Sequence, residues 1–395
     1  MIPFASFTYF GVLLYVVIPS VAVGLFGRAR RLILPVATAV MLVVQYGVTT
    51  TVWPGGPAVT TLWLVLAFAL AQWAVAWAFL AIRRRRAGRG TAERLIFFGA
   101  VGLALAPIIV VRLSGVTVGL SLAGFTGLSY VMFRALDVVI CIQDRIIRDL
   151  SFGRYLLFLL FFPTISAGPI DRYRRFVGDL ERSRDRAAFL ADLDTTVHLV
   201  MTGFALKFIL AEVVRRFALE PAATVPGLSG LVLYAYAYAF YLYFDFAGYS
   251  AFAIGVACLF GIHVPTNFRR PFLAGDIREF WNRWHISLST WFRDHVYMRF
   301  LMAATRGKWF RDRNLASYAG LVVSFGLMGA WHGIEPHYLF YGLYHAGLLI
   351  GHDLFSRWNA KRQAWGEGPG WRAAGVLVTF HAVCLGLLLF SGRLG

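Results

Sequence analysis

Residues 59–82 read VTTLWLVLAFALAQWAVAWAFLAI, 24 residues without one charged side chain. A helix rises 1.5 Å per residue, so ~20 apolar residues span the ~30 Å hydrocarbon layer of a bilayer. Working outward, similar stretches cover roughly Tyr9–Phe26, Leu32–Thr50 and Leu95–Val111. The whole chain of 395 residues is 59% hydrophobic and 15% charged, with a mean hydropathy of +0.66. A soluble domain carries about a quarter charged residues and cannot bury so many long apolar segments. The reading is therefore an all-α, multi-pass integral membrane protein in the lipid bilayer.

The first basic residues, Arg28, Arg30 and Arg31, follow the first apolar stretch rather than precede it. That order excludes a cleavable signal and predicts an uncleaved helix with its N-terminus outside. The next basic cluster, Arg83–Arg86 with Arg89 and Arg94, comes two spans later, so both clusters fall on one face, the cytoplasmic one. The turn Trp53-Pro54-Gly55-Gly56 has no Lys or Arg and is expected outside. A net charge of +18 spread over short loops points to anionic headgroups or an acidic cytoplasmic partner, not to nucleic acid. Cys141, Cys258 and Cys384 lie far apart in apolar surroundings, with no C-x-x-C pair and no zinc spacing. They read as inert core residues, and no disulfide or metal is implied.

The chain reads as one domain over 1–395, with no linker and no fixed-period repeat. Residues 1–127 are expected to be peripheral spanning helices around a core of 128–395. From about Leu128 the apolar stretches contain Asp, His, Arg, Gly and Pro, as in Tyr155–Ile170, which is interrupted by Pro163, Gly168 and Pro169. Broken backbone at membrane depth requires protein or water around it. Segments near Phe189–Phe217 and Ile277–Phe300 are helical in period but read as too charged to face lipid.

Four clusters could carry chemistry. In Ile277–Val296, apolar residues recur at i, i+3, i+4, i+7, which predicts a helix, and Arg278, Asn282, His285, Ser289 and Arg293 form a polar stripe on it. That stripe is expected to line a cavity rather than rest at headgroups. His332 ends the uncharged run Phe325–Trp331, and an ionisable residue there is a functional hypothesis. Imidazole is suited to take a proton from a hydroxyl near pH 7. His337, His345 and His352 in the following helix read as polar packing. Asp245, in an aromatic stretch, needs a buried partner, with Arg134 or a histidine expected, so both residues are assigned to a structural polar core. No G-x-S-x-G elbow, Walker A loop or dinucleotide fingerprint occurs.

The run Glu279-Phe280-Trp281-Asn282-Arg283-Trp284-His285-Ile286-Ser287-Leu288-Ser289, with Trp331-His332-Gly333 downstream, resembles the membrane-bound O-acyltransferase (MBOAT) family. Supporting segments are Gly127–Tyr130 with Phe133-Arg134, Gly168–Arg172 with Phe176, Phe244–Ser250, Asn267-Phe268, Pro271-Phe272 and Phe390–Gly392. Asn282 and Asp171 favour its D-alanyl-transfer (DltB-type) branch over the alginate O-acetylating branch. The resemblance covers Leu128 to the C-terminus well and the first third by hydropathy alone. It implies about eleven transmembrane helices, with re-entrant or tilted helices around a central tunnel. It also implies a catalytic His332, a second histidine, His285, beside an acyl tunnel, and tunnel or oxyanion candidates Asn282, Ser289, Trp281 and Trp284. The D-alanyl group would arrive on the phosphopantetheine thioester of an acidic carrier protein in the cytoplasm, with no cofactor bound to the chain. It would leave towards an envelope polymer such as lipoteichoic acid, aided by a partner membrane protein in the bacterial inner membrane. The arginine- and alanine-rich composition fits a high-GC bacterium. Rival readings are O-acetylation of an exopolysaccharide and transport of an envelope precursor.

The orientation is testable with single cysteines. Gly55→Cys should react with an impermeant thiol reagent from outside, and Gly27→Cys should not; the reverse pattern inverts the topology.

Overall fold

The computed structural model describes residues 1–26, 30–51, 58–85, 90–117, 125–366 and 368–394. Arg28, Arg86, Arg89 and the Trp53–Gly56 turn, on which the orientation reading rests, lie outside them. The elements are α1 (Phe7–Phe26), α2 (Arg30–Tyr46), β1 (Thr49–Thr51), β2 (Ala58–Thr60), α3 (Thr61–Arg85), α4 (Thr91–Thr117), α5 (Leu128–Gln143), α6 (Phe152–Leu159), α7 (Tyr173–Glu181) and α8 (Arg186–Phe204). There follow α9 (Ala211–Val214), α10 (Glu220–Thr224), α11 (Gly227–Leu259), α12 (Ile277–Trp281), α13 (Ile286–Phe292), α14 (Met298–Gly307), α15 (Arg313–His332), α16 (Pro336–Arg362) and α17 (Pro369–Phe390). The two short strands pair antiparallel, Thr49 opposite Thr60. Among the described residues seven helices are long and apolar enough to cross a bilayer, joined by shorter apolar helices at Leu32–Tyr46 and Phe152–Thr164.

The chain forms two compact units, Met1–Met201 with Tyr249–Pro265, and Thr202–Gly248 with Thr266–Gly395. In the first unit α3, α4 and α5 pack together. Gln72, the amide within the 59–82 run, donates to the Ala104 carbonyl of α4 at 3.1 Å. Arg134 on α5 is 1% exposed. Its guanidinium donates to the carbonyls of Phe158 (3.0 Å), Leu159 (3.2 Å) and Thr164 (2.7 Å), and to the Thr164 hydroxyl. These are the carbonyls left open where α6 ends and the chain passes through the 3₁₀ turn Phe162–Thr164. Asp137, one helical turn on, accepts from Arg172 Nη1 (2.8 Å) and the Tyr173 amide (3.2 Å), which pins the Gly168–Arg172 segment.

Two sequence expectations are corrected. Asp245 does not pair with Arg134; within the second unit it takes the Lys207 ammonium. A helix period placed Asp245 in apolar company but could not say which cation approaches it. The Phe189–Phe217 segment also belongs to a stretch long and apolar enough to cross a bilayer. It belongs to a continuous helical stretch, Arg186–Thr224, whose apolar window is only 11% buried, against 67% for Gly227–Leu259. Its charges sit towards the ends, and between Thr195 and Ala211 the one cation, Lys207, is neutralised by Asp245.

In the second unit α15 packs along α16 at glycines. A Cβ on Gly342 would collide with the Phe325 carbonyl and lie 3.3 Å from Gly329 Cα, while one on Gly329 would strike the Tyr338 carbonyl. Gly342→Ala should therefore destabilise the protein by about 1–3 kcal/mol, read as a lower thermal midpoint in detergent. Gly347→Ala on the same helix meets open space and should leave the midpoint unchanged or raise it.

Candidate active site

The segment expected as one helix, Ile277–Val296, is broken. Asp276 caps α12 by accepting the Glu279 amide at 2.8 Å, but α12 lasts only to Trp281. The chain turns through Asn282–Trp284, and His285 adopts a left-handed conformation, φ 43°, before α13 begins. A π-helical turn, Arg293–Tyr297, then leads into α14. Asn267, 0% exposed, holds the break. Its carbonyl accepts the Ile286 amide at 3.0 Å, and its side-chain oxygen accepts the Ser287 hydroxyl at 2.6 Å and amide at 3.3 Å. The Arg269 amide takes the Arg283 carbonyl at 3.0 Å. A periodic stripe cannot reveal this interruption, because the partners of the broken turn lie outside the segment.

The break still leaves most of the polar stripe on one cavity, of about 380 Å³. Arg278, Trp281, Asn282, Ser289 and Arg293 line it from this segment, as expected. Opposite them α15 contributes Ser317, Tyr318, Leu321, Ser324, Phe325 and Met328, and α16 contributes Asp353. The residues of α15 recur at helical steps of three and four, a signal legible in the sequence beyond the Phe325–Gly333 run. One end of the cavity is polar. There Asp353 accepts from Tyr318 Oη and Arg357 Nε, each at 2.7 Å, with Arg278 Nη2 at 3.5 Å. The hydrogen bonds from Arg357 and Tyr318 hold the Asp353 carboxyl below its ordinary range. The Arg278 side chain is 60% exposed, which marks this end as the mouth. Towards Phe325 and Met328 the lining turns apolar. From Ser317 to Met328 the wall runs ~16 Å at 1.5 Å per residue.

His332 lies one turn past Met328 on α15, at i+4, and does not line the cavity. The half-buried ring is set among aromatics, with ring-centroid distances of 4.4 Å to Trp331, 4.8 Å to Phe390, 6.0 Å to Tyr338 and 6.1 Å to Tyr341. His285 and Trp284 also fall away from the cavity. Trp284 stacks on Phe280 at 5.6 Å and meets Phe268 at 5.1 Å. His285 is buried, its ring edge-on to Phe246 at 4.8 Å, and its Nδ1 meets no hydrogen-bond partner among the described residues. The break explains why His285 leaves the stripe: in the left-handed conformation its side chain no longer follows the helical face. His345 is fully buried behind Trp281, at 5.1 Å, and against Tyr341, at 4.7 Å. The arrangement offers a cavity that is polar at one end and apolar towards Phe325 and Met328, with an imidazole one turn beyond Met328 on α15.

Burial lowers the His285 pKa from 6.5 to about 3, so the ring stays neutral when folded. The unfolded chain then binds the extra proton first. This contribution to stability is complete above pH 6.5 and is lost as pH falls from there towards 3. The unfolding free energy of the wild type should fall relative to His285→Asn between pH 7 and 5, by on the order of 2 kcal/mol, read as a lower thermal midpoint. A constant difference over that range would place the ring in contact with water.

The membrane-bound O-acyltransferase family model matches residues 103–391. The teichoic acid D-alanyltransferase of Bacillus subtilis is 37% identical over 412 residues, covering 100% of this chain and 98% of that protein. The teichoic acid D-alanyltransferase of Lacticaseibacillus rhamnosus is 35% identical, with coverages of 99% and 97%. The probable alginate O-acetylase of Pseudomonas syringae is 33% identical over 279 residues, covering 68% of this chain and 49% of that protein. A family match from the fourth helix to the last turn, together with relatives alike end to end, establishes that this chain belongs to the membrane-bound O-acyltransferase family.

Proposed function

We propose that this chain is a teichoic acid D-alanyltransferase of the bacterial inner membrane, with its N-terminus outside. The observation that carries this reading is the end-to-end likeness to the D-alanyltransferases, against likeness to only half of the alginate O-acetylases. Family membership makes it an acyltransferase and removes the transporter reading. The donor is the thioester of an acidic carrier protein docked at the cytoplasmic mouth, where Arg278 is exposed. A slender phosphopantetheine arm suits a passage of about this length. The acceptor is a teichoic acid hydroxyl reached from outside with the help of a partner membrane protein.

In the reaction, the acceptor oxygen attacks the thioester carbonyl carbon, and the carbon–sulfur bond breaks. His332 takes the hydroxyl proton and returns it to the departing thiolate, which is worth on the order of 10²–10⁴-fold. Holding the two substrates in line contributes more, ~7–11 kcal/mol in the best cases. Asn282 is the better donor to the developing oxyanion. The Ser289 hydroxyl is already spent on the carbonyls of Trp284 and His285, each at 3.1 Å. His285 supports the site from behind as a neutral, buried ring.

The test uses purified protein reconstituted with its partner membrane protein, a carrier loaded with D-alanine, and teichoic acid. His332→Ala should reduce transfer by 10²-fold or more while the protein stays folded. Met328→Trp, which fills the passage before His332, should block transfer while leaving carrier binding intact. Wild-type activity in folded His332→Ala, or transfer of acetyl groups to alginate in preference to D-alanine, would overturn the proposal. Carrier binding should weaken as salt rises, because exposed charge pairs are screened over ~8 Å near physiological ionic strength.

A further inference from the structure

In the first unit, well outside the residues assigned to catalysis, Asp192, Cys258 and His263 converge. Asp192 lies on α8, Cys258 near the end of α11, and His263 in the loop that follows. Their ligand atoms all lie within 4.8 Å of one another. Asp192 Oδ1 is 2.9 Å from His263 Nε2 and accepts the Cys258 thiol at 3.5 Å. We propose that these three side chains bind a divalent transition-metal ion of the zinc type, which ties the end of α11 to α8.

Thiolate, imidazole and carboxylate are the donor types zinc takes, at ~2.0–2.3 Å, with a tetrahedral site placing ligand atoms ~3.3–3.8 Å apart. The observed separations need adjustments of about 1 Å to reach it. The surroundings supply what metal-bound side chains require. Asp179 Oδ2 sits 3.6 Å from His263 Nδ1 and accepts the His263 backbone amide at 2.9 Å. This carboxylate orients the ring so that Nε2 faces Asp192 and Cys258. Arg184 Nη2 holds the other Asp192 oxygen at 2.6 Å, and its Nη1 donates to the Leu259 carbonyl at 2.9 Å. Arg182 lies 3.5 Å from Asp179. One carboxylate oxygen is thus engaged and the other is left for the ion.

Close packing of α8 on α11 makes the convergence possible. A Cβ on Gly255 would sit 3.1 Å from Leu199 Cβ, and the Thr196 hydroxyl donates to the Gly255 carbonyl at 2.9 Å. The His263 side chain, 46% exposed, gives the ion a route in from water. On binding, the Cys258 thiol loses its proton to solvent. The thiolate, Asp179, Asp192, Arg184, Arg182 and a doubly charged ion then sum to +1, with the Arg182 side chain exposed at the rim. A remaining coordination position is open to water, as in zinc sites with three protein ligands.

The experiment titrates Co²⁺ into the full-length protein in detergent after dialysis against a chelator. Thiolate-to-cobalt charge transfer should appear, saturate at one equivalent, and vanish when Zn²⁺ is added. Cys258→Ser should lose the band, and Cys141→Ser and Cys384→Ser should keep it. His263→Ala, at a half-exposed loop position, should stay folded and lose stoichiometric uptake. Absence of a thiolate band in the wild type, or its survival in Cys258→Ser, would overturn the proposal.

Discussion

An apolar environment offers no water to unpaired backbone groups, so every broken turn must be satisfied by the protein itself. Arg134 meets this demand in the first unit. One buried guanidinium closes three carbonyls around the end of α6 and the turn that follows. Replacing it would leave those acceptors without donors, and each such group costs about 1–3 kcal/mol. Asn267 plays the corresponding part in the second unit, where it pairs the amides of Ile286 and Ser287 after the break. A helical Asn282–His285 would have had no use for it.

The break shapes the site. It separates two residues that a continuous helix would have kept together: Ser289 stays on the cavity, whereas His285 turns into the aromatic cluster around Phe246. One end of the cavity is polar, where Asp353 is shared among Tyr318, Arg357 and Arg278. Phe325 and Met328 make the lining apolar at the end of the cavity that precedes His332 on α15. Glycine against glycine at Gly329 and Gly342 brings α15 and α16 close enough to frame it.

How much was legible beforehand depended on the range of the signal. The 59–82 run appears as α3, and the break expected in Tyr155–Ile170 appears as the end of α6 and a 3₁₀ turn. The polar stripe pointed to a real cavity wall in Arg278, Asn282, Ser289 and Arg293. It failed for His285, because a stripe assumes an unbroken helix. The Arg186–Thr224 helix was misjudged because charge was counted over the whole segment, whereas its charges lie near the ends and Lys207 is neutralised from another helix.

The sequence by itself determined that the chain lives in a membrane, most of the segments long and apolar enough to cross it, and where the tryptophan and histidine clusters stand. Those properties are local: hydropathy and period are set by neighbours within a few turns. Only the tertiary structure decided that Asp245 meets Lys207, that Tyr318, Ser324 and Asp353 share a cavity with Asn282, and that His285 does not. It alone brought Asp192 to Cys258, 66 residues away, where no ligand spacing exists along the chain. Such pairings depend on which helices approach closely. That is settled by glycine contacts and by side chains that close broken backbone, neither of which leaves a periodic trace in the sequence.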